Sequence, residues 1–347
     1  MSVAKNNRVT RTPSFAQPVE ALENRQMMSA SVPHIPAMLP AGFDQPAVHA
    51  NQGHANEGRA SMGHATHGHG RITTVRPVRT HIFSVLPVVD AVTTPVLPEP
   101  KANWSAHWQN FSNNPLFAAG GPSPNDVYQG GVGNCWFLAT LAEVAQRDPS
   151  QISSSITQRA DGTYDVLFHT SPTTMVDEHV DGKLPVNIHG NLEYAKLGQD
   201  GCTWVAIMEK ALTYFRNPGS PSYSSIAGGW GKEALKDLGG TPSDLLSQVH
   251  TGDDLFNDVV WGLIFNTSMD IGTSSKKWGP LVSNHEYSVI SARDFNGVEQ
   301  IELRNPWGDN PNYNIMTGNY DWTNDGYIWV NASSVLPQLD EFATAAM

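Results

Sequence analysis

Cysteine is scarce in this 347-residue chain, with Cys135 and Cys202 the only two. Two cysteines cannot build the disulfide framework that holds small secreted domains together, so the fold must rest on a packed core. Positive charge is also short. Against 33 acidic residues stand 21 lysines and arginines, a net charge of -12, and no basic stripe offsets it. That excludes nucleic acid and an anionic membrane surface as the main partner. No run approaches the roughly eighteen apolar residues of a membrane span, and the first residues, Met1 to Arg8, lack the apolar core of a signal peptide. A soluble protein, cytoplasmic by default, is expected; signal-independent secretion stays open as a second route.

Aromatic residues are missing from the first hundred positions apart from Phe15, Phe43 and Phe83, and all 10 tryptophans lie at or beyond Trp104. The opening segment is rich in Pro, Ala, Ser, Thr, Gly and His and shows little sustained period. Such a segment buries too little apolar surface to offset its chain entropy. Residues 1–100 are therefore expected to form a disordered arm, a candidate propeptide, with the more apolar stretch Ile82 to Val96 able to dock as a short strand. His54, His64, His67 and His69 give the arm a histidine-rich tract. It lacks the fixed ligand spacing of a structural zinc site, so a polar linker is the better reading and no metal is expected there.

Beyond Trp104 the pattern turns globular. Phe137, Leu138, Leu141 and Val144 have helical spacing from Cys135 to about Arg147. Thr163 to Phe168 alternates like a strand. Trp204, Ile207, Met208, Ala211, Leu212 and Phe215 mark a second helix, and Glu233 to Leu238 a short third one, stopped by Gly239-Gly240. Leu255 to Phe265 is apolar and ambiguous. Residues 286–293, 298–304 and 326–331 read as strands. Helices first and strands later predict an α+β enzyme of two lobes, 101–242 and 243–340.

Three residues in this frame carry chemistry. The run Gln129-Gly-Gly-Val-Gly-Asn-Cys135-Trp136-Phe137 places a thiol where a glycine-rich loop meets a helix start. Unpaired N–H groups and the helix dipole there favour thiolate. His285 opens one strand-like run and Asn305 ends the next. Cys, His and Asn are the parts of a cysteine-protease site: nucleophile, proton carrier and ring-orienting amide. The backbone N–H of Cys135 and the amide of Gln129 are the candidate oxyanion donors. The indoles of Trp136 and Trp307 are candidate shields against water. Cys202 is expected to be a small buried hydrophobe.

Whether His285 and Asn305 meet depends on the loop between their strands. Asn296-Gly297 is a strong hairpin signal. A regular two-residue loop would set Asn305 opposite Ser288 and throw it onto the face away from His285. One extra residue would set Asn305 opposite Tyr287, with His285 on the same face about 7–8 Å away. An odd-length loop or a bulge is therefore predicted.

These blocks resemble the calpain family of papain-like cysteine peptidases, in its small single-module form. Gln129 to Ala139 is similar to that family's Gln-Gly-x-x-Gly-Asp-Cys-Trp-x-Leu-Ala. The stretches Trp204 to Ala211, Glu233 to Gly240, His285 to Val289, Arg304 to Gly308 and Asp325 to Val330 resemble five further blocks in the family's order. The resemblance implies a papain-like two-lobed core and a protein-cleaving endopeptidase. It implies Cys135, His285 and Asn305 as the triad and Gln129 as the oxyanion donor. A monomer acting on a protein or peptide substrate, with no required cofactor, is expected. Departures are Asn134 for the usual Asp, Asn284 and Glu286 where Gly and a small residue flank the histidine, and Tyr327 for a glutamate that serves calcium binding in animal relatives. The last argues against calcium activation. The alternative is a non-catalytic module that binds peptides or partners; acyl transfer to an amine ranks third, since it calls for Asp in place of Asn305.

Overall fold

The computed structural model describes residues 95–275, 281–310 and 324–347. The arm up to residue 94, with its histidine tract, lies outside the described residues, as does most of the 82–96 stretch. Residues 97–101 are not arm. The Leu97 N–H donates to the His179 carbonyl at 2.9 Å, and the Lys101 N–H to that of Pro221 at 2.9 Å. The Tyr214 hydroxyl donates to the Pro98 carbonyl. Glu99 meets the buried Lys210 ammonium at 2.7 Å. The packed structure thus begins before the boundary expected at 101.

The first lobe is built around α1 (Cys135–Arg147), buried on every side from Trp136 to Ala145. A helix wrapped this way belongs in a core, not on a surface. Around it lie α2 (Pro149–Ser155), α3 (Trp204–Arg216) and α4 (Gly231–Asp237). Two small antiparallel sheets complete the lobe: β1 (His107–Asn110) with β5 (Lys183–Val186), and β2 (Ile156–Gln158), β3 (Thr163–Ser171) and β4 (Thr174–Asp181). The helical spacing read from Phe137, Leu138, Leu141 and Val144 is that of a fully enclosed helix, and Thr140 and Glu143 occupy its remaining face.

The second lobe is one antiparallel sheet in the order β10-β9-β8-β7-β11-β6. Its strands are β6 (Thr241–Asp244), β7 (Ser268–Thr273), β8 (Glu286–Phe295), β9 (Val298–Arg304), β10 (Tyr327–Asn331) and β11 (Leu339–Ala346). α5 (Gly252–Ile264) and the short α6 (Ala332–Val335) pack with it. The ambiguous 255–265 stretch is this helix. Thr251 and Asp254 start it with reciprocal side-chain-to-backbone bonds of 3.1 and 2.9 Å. The expected lobe end at 340 falls short, because β11 runs to Ala346 as an interior strand between β7 and β6.

The β8–β9 hairpin resolves the parity question. Asn296 and Gly297 both have positive φ, 56° and 80°, the two-residue turn whose twist suits a hairpin. From Phe295↔Val298 to Ser291↔Glu302 the register is the regular one. It then shifts, so that Val289 faces Leu303 and Ser288 faces Arg304. Ile290 is the extra residue of a β-bulge, and continuing the new register brings Asn305 opposite Tyr287.

The bulge is held from the other lobe. Arg147, in the last turn of α1, donates through Nη2 to the carbonyls of Val289 and Ile290 at 3.0 and 2.8 Å. Its Nε meets Glu143 at 3.0 Å, and Glu143 in turn accepts the Met269 N–H at 3.2 Å. Further ties join the lobes. Ser288 Oγ donates to the Ala139 carbonyl at 2.7 Å, Thr140 Oγ1 to Asp270 at 2.6 Å and Arg304 to the Val127 carbonyl at 2.8 Å.

Candidate active site

Cys135 is the first residue of α1, where the backbone N–H groups of the opening turn have no helical acceptor. The helix starts there because Asn134 cannot continue it backward. Its carbonyl accepts from the Phe137 and Leu138 N–H groups, while its side chain turns away, donating to Glu209 Oε1 at 2.8 Å. Glu209 comes from α3 and also accepts the Ala195 N–H at 2.9 Å. The Asn134 side chain thus anchors the nucleophile loop to a buried carboxyl that burial pushes up to about 7. An amide can donate there; the ionised Asp common in the family cannot.

His285 sits at the mouth of β8, 5% exposed. Its backbone is clamped by Thr273, whose Oγ1 accepts the His285 N–H at 2.9 Å and whose N–H donates to the His285 carbonyl at 2.8 Å. Asn284, just before it, has φ of 50°. That left-handed conformation explains a preference for Gly at this place, and Asn is the next best residue for it.

The ring and the amide meet. His285 Nε2 lies 2.8 Å from Asn305 Oδ1. Oδ1 also accepts the Trp307 N–H at 3.0 Å, which identifies it as the amide oxygen. Nε2 therefore carries the proton, and Nδ1 is left as the basic nitrogen. Trp307 lies with its ring centroid 4.6 Å from that of His285, covering it from solvent. Cys135 and His285 line the same cavity of about 220 Å³, together with Gly228, Gly229, Trp230 and Glu286.

Burial acts on both members of the pair. It pushes the Cys135 thiol up, against the opposing pull of the backbone N–H groups of Glu286, Trp136 and Cys135 itself. It lowers His285 to about 4, the Asn305 hydrogen bond resisting. Helix-end stabilisation of a thiolate is present, as the sequence implies, and desolvation opposes it, raising the thiol and lowering the imidazole.

Two expected residues sit differently. Gln129 does not line the cavity. Its Nε2 donates to the Val132 carbonyl at 2.6 Å, and its backbone N–H ties to the Pro306 carbonyl at 2.8 Å. Trp136 does not cover the His–Asn bond. Its indole donates to the Ile226 carbonyl at 3.1 Å and underlies Gly229, where a Cβ would come within 2.5 Å of the ring. Cys202 is buried, as read. Sequence reasoning missed the Gly228–Trp230 loop, Gly272 and Asp340. Adjacent glycines before a tryptophan were a usable signal; Asp340 depends on a strand pairing that no local pattern announces. Among the described residues no group of three His, Cys, Asp or Glu side chains is placed to hold a metal ion, and no helix is long and apolar enough to cross a membrane.

The family described as "Calpain family cysteine protease" matches residues 88–335. The calpain-1 catalytic subunit of Bos taurus is 30% identical over 223 residues, 59% of this chain and 30% of the bovine protein. The calpain-type cysteine protease DEK1 of Arabidopsis thaliana is 28% identical over 232 residues, 62% of this chain and 10% of that one. Its counterpart ADL1 of Oryza sativa subsp. japonica is 27% identical over 233 residues, again 10% of its length. The chain spans about a third or less of each of these relatives. A digestive procathepsin L of Tenebrio molitor shows a faint structural likeness, TM-score 0.28 at 15% identity, over 72% of this chain and 76% of that one. The α+β chain belongs to the calpain family of cysteine proteases.

Proposed function

We propose that the protein is a cysteine endopeptidase that hydrolyses peptide bonds in proteins, with Cys135 as nucleophile, His285 as proton carrier and Asn305 as ring-orienting amide. The observation that carries this reading is the 2.8 Å bond from His285 to Asn305, with His285 lining the same cavity as Cys135.

The chemistry starts from a neutral pair, thiol and imidazole. As a substrate carbonyl approaches, the Cys135 proton passes to His285 Nδ1 while Sγ bonds to the carbonyl carbon. The carbonyl oxygen becomes an oxyanion. The Cys135 backbone N–H is its first donor, and the Gln129 amide, once it swings off the Val132 carbonyl, the second. The C–N bond then breaks, and the imidazolium returns its proton to the leaving amine. Water, deprotonated by the same nitrogen, hydrolyses the thioester and restores the thiol. The scheme needs no cofactor and one copy of the chain. Two free thiols fit a reducing compartment such as the cytoplasm.

The test is mass spectrometry of a denatured protein incubated with wild type or Cys135→Ala, with and without calcium. Cuts made by wild type alone support the reading. Identical spectra from the two proteins in both conditions overturn it in favour of a binding module.

A further inference from the structure

The cavity that holds Cys135 and His285 is walled on other sides by Gly228, Gly229, Trp230, Gly272, Glu286 and Asp340. At about 220 Å³ it is below the size that encloses a whole small ligand; it fits one side chain. Glu286 follows the histidine directly. It is 4% exposed, and its Oε1 has no hydrogen-bond partner. Two glycines locate its carboxyl group. A Cβ on Gly231 would lie 2.7 Å from Oε1; one on Gly272 would lie 2.9 Å from Oε2 and 3.3 Å from Oδ1 of Asp340. Carboxyls from β8 and β11 therefore converge on the space that Gly272 leaves open.

The other groups packed around Glu286 are acids as well, each with a donor to one oxygen, although Asp270 Oδ1 has none. Asp270 of β7 accepts from Thr140. Glu341 of β11 accepts the Gly231 N–H at 2.7 Å. The nearby Lys232 is shared between Asp244 and Glu341, at 3.2 and 3.7 Å. Among the described residues no ion pair joins Glu286 or Asp340 to a cation, and no trio of ligands is set for a metal. Burial, with the neighbouring acids Glu341, Asp270 and Asp340, holds the Glu286 carboxyl well above the usual range. An acid left without a partner in a closed wall costs free energy, which an incoming cationic donor removes.

We infer that this cavity is the specificity pocket of the enzyme and takes a basic side chain, arginine or lysine, from a substrate residue next to the scissile bond. Glu286 receives the cation in the wall and Asp340 at the more exposed rim. An apolar side chain of equal length fills the space but leaves the buried Glu286 carboxyl unpaired, so the pocket selects against it. The inference rests on the proposed peptidase reading and adds its substrate class.

Cleavage sites in a peptide library derived from a proteome, read by mass spectrometry, test it. Wild type is expected to favour Arg and Lys over Leu by about tenfold or more at one position flanking the cut. Glu286→Gln abolishes that preference, and Asp340→Asn lowers it several-fold; the latter also serves if Glu286→Gln does not fold. An apolar preference there, or a basic preference that survives both changes, overturns the inference. Should wild type cut nothing that Cys135→Ala does not, the peptidase reading fails, and calorimetry on the Cys135→Ala protein judges the pocket alone. Tighter binding of an acetylated alanine hexapeptide with one arginine than of its norleucine analogue, lost on adding Asp340→Asn, supports the pocket. Equal binding overturns it.

Discussion

Replacing Arg147 by methionine should loosen both the fold and the seat of His285. The guanidinium is 11% exposed and its partner Glu143 fully buried. It donates to Glu143 and to two bulge carbonyls, Val289 and Ile290. Methionine keeps the apolar stem and removes every donor. Glu143 then has only the Met269 N–H at 3.2 Å. Burial already holds it at about 7, so it takes up a proton instead of standing as a bare charge, which limits the loss. Breaking a buried pair and stranding its partner costs about 3–5 kcal/mol. In a domain of this size each kcal/mol lowers Tm by about 2–4 °C, so a fall of roughly 10 °C is expected in a calorimetric melt at pH 7. kcat/KM should fall further than the folded fraction explains, because the bulge sets the register of β8 and thereby the place of His285. Adding Glu143→Gln separates the contributions. If the stranded acid dominates, the double variant recovers stability relative to Arg147→Met. If the bulge carbonyls dominate, it does not. A drop below about 2 °C with unchanged kcat/KM would refute the idea that Arg147 holds the bulge.

Asn305→Ala should lower kcat/KM by about ten- to a hundredfold with little change in the rate of Cys135 alkylation, since it frees the ring without touching the thiol; equal losses in both would contradict the assigned role. The acid limb of kcat/KM should lie near 4, below the ordinary histidine range, because burial depresses His285; a limb near 6.5 would show the ring solvated in the working enzyme. Stability should fall as pH rises from about 4.5 to 8. Glu143, Glu178, Glu209 and Asp237 are each raised to about 7, so the folded chain keeps protons that the unfolded chain releases near 4. That contribution is complete below the unfolded values and is lost as pH passes the folded ones. His285, depressed, acts oppositely between about 4 and 6.5, as one group against four. A melting temperature higher at pH 8 than at pH 5.5 would contradict this balance. Lys210→Met should cost about 3–5 kcal/mol, since it strands the Glu99 and Asp181 carboxylates, each 2.7 Å from a fully buried ammonium; urea melts with an unchanged midpoint would refute it.

What the sequence revealed of this molecule was mostly local. The start of α1 at Cys135 and both ends of β9 follow from periodicity and turn chemistry. Parity alone required an extra residue between His285 and Asn305, and the bulge at Ile290 supplies it. The apolar run from Leu255 to Phe265 left helix and strand open, and only the structure shows the helix over 252–264, begun by the Thr251–Asp254 cap. β7 and β11 were not. Ser268 to Thr273 contains Asp and Gly, and Leu339 to Ala346 contains two acids and several alanines, poor material for strands by propensity. Both become strands because their neighbours bury them, and Glu341 is tolerated because it accepts the N–H groups that open α4. At Cys135 the helix terminus is visible in sequence, whereas the desolvation that opposes it arises only from the assembled lobes.

The place of β11 bears on when the cleft can first form. It is the latest strand of the sheet in chain order and one of its inner strands, so during synthesis β6 and β7 have no partner between them until residue 346 has been made. The thiol, the imidazole and the amide are all translated earlier. Without β11, however, the α4 N-terminus lacks Glu341, and the wall next to the thiol lacks Asp340. A growing chain therefore carries the thiol, the imidazole and the amide in an unfinished cleft until translation has passed the strand that closes it.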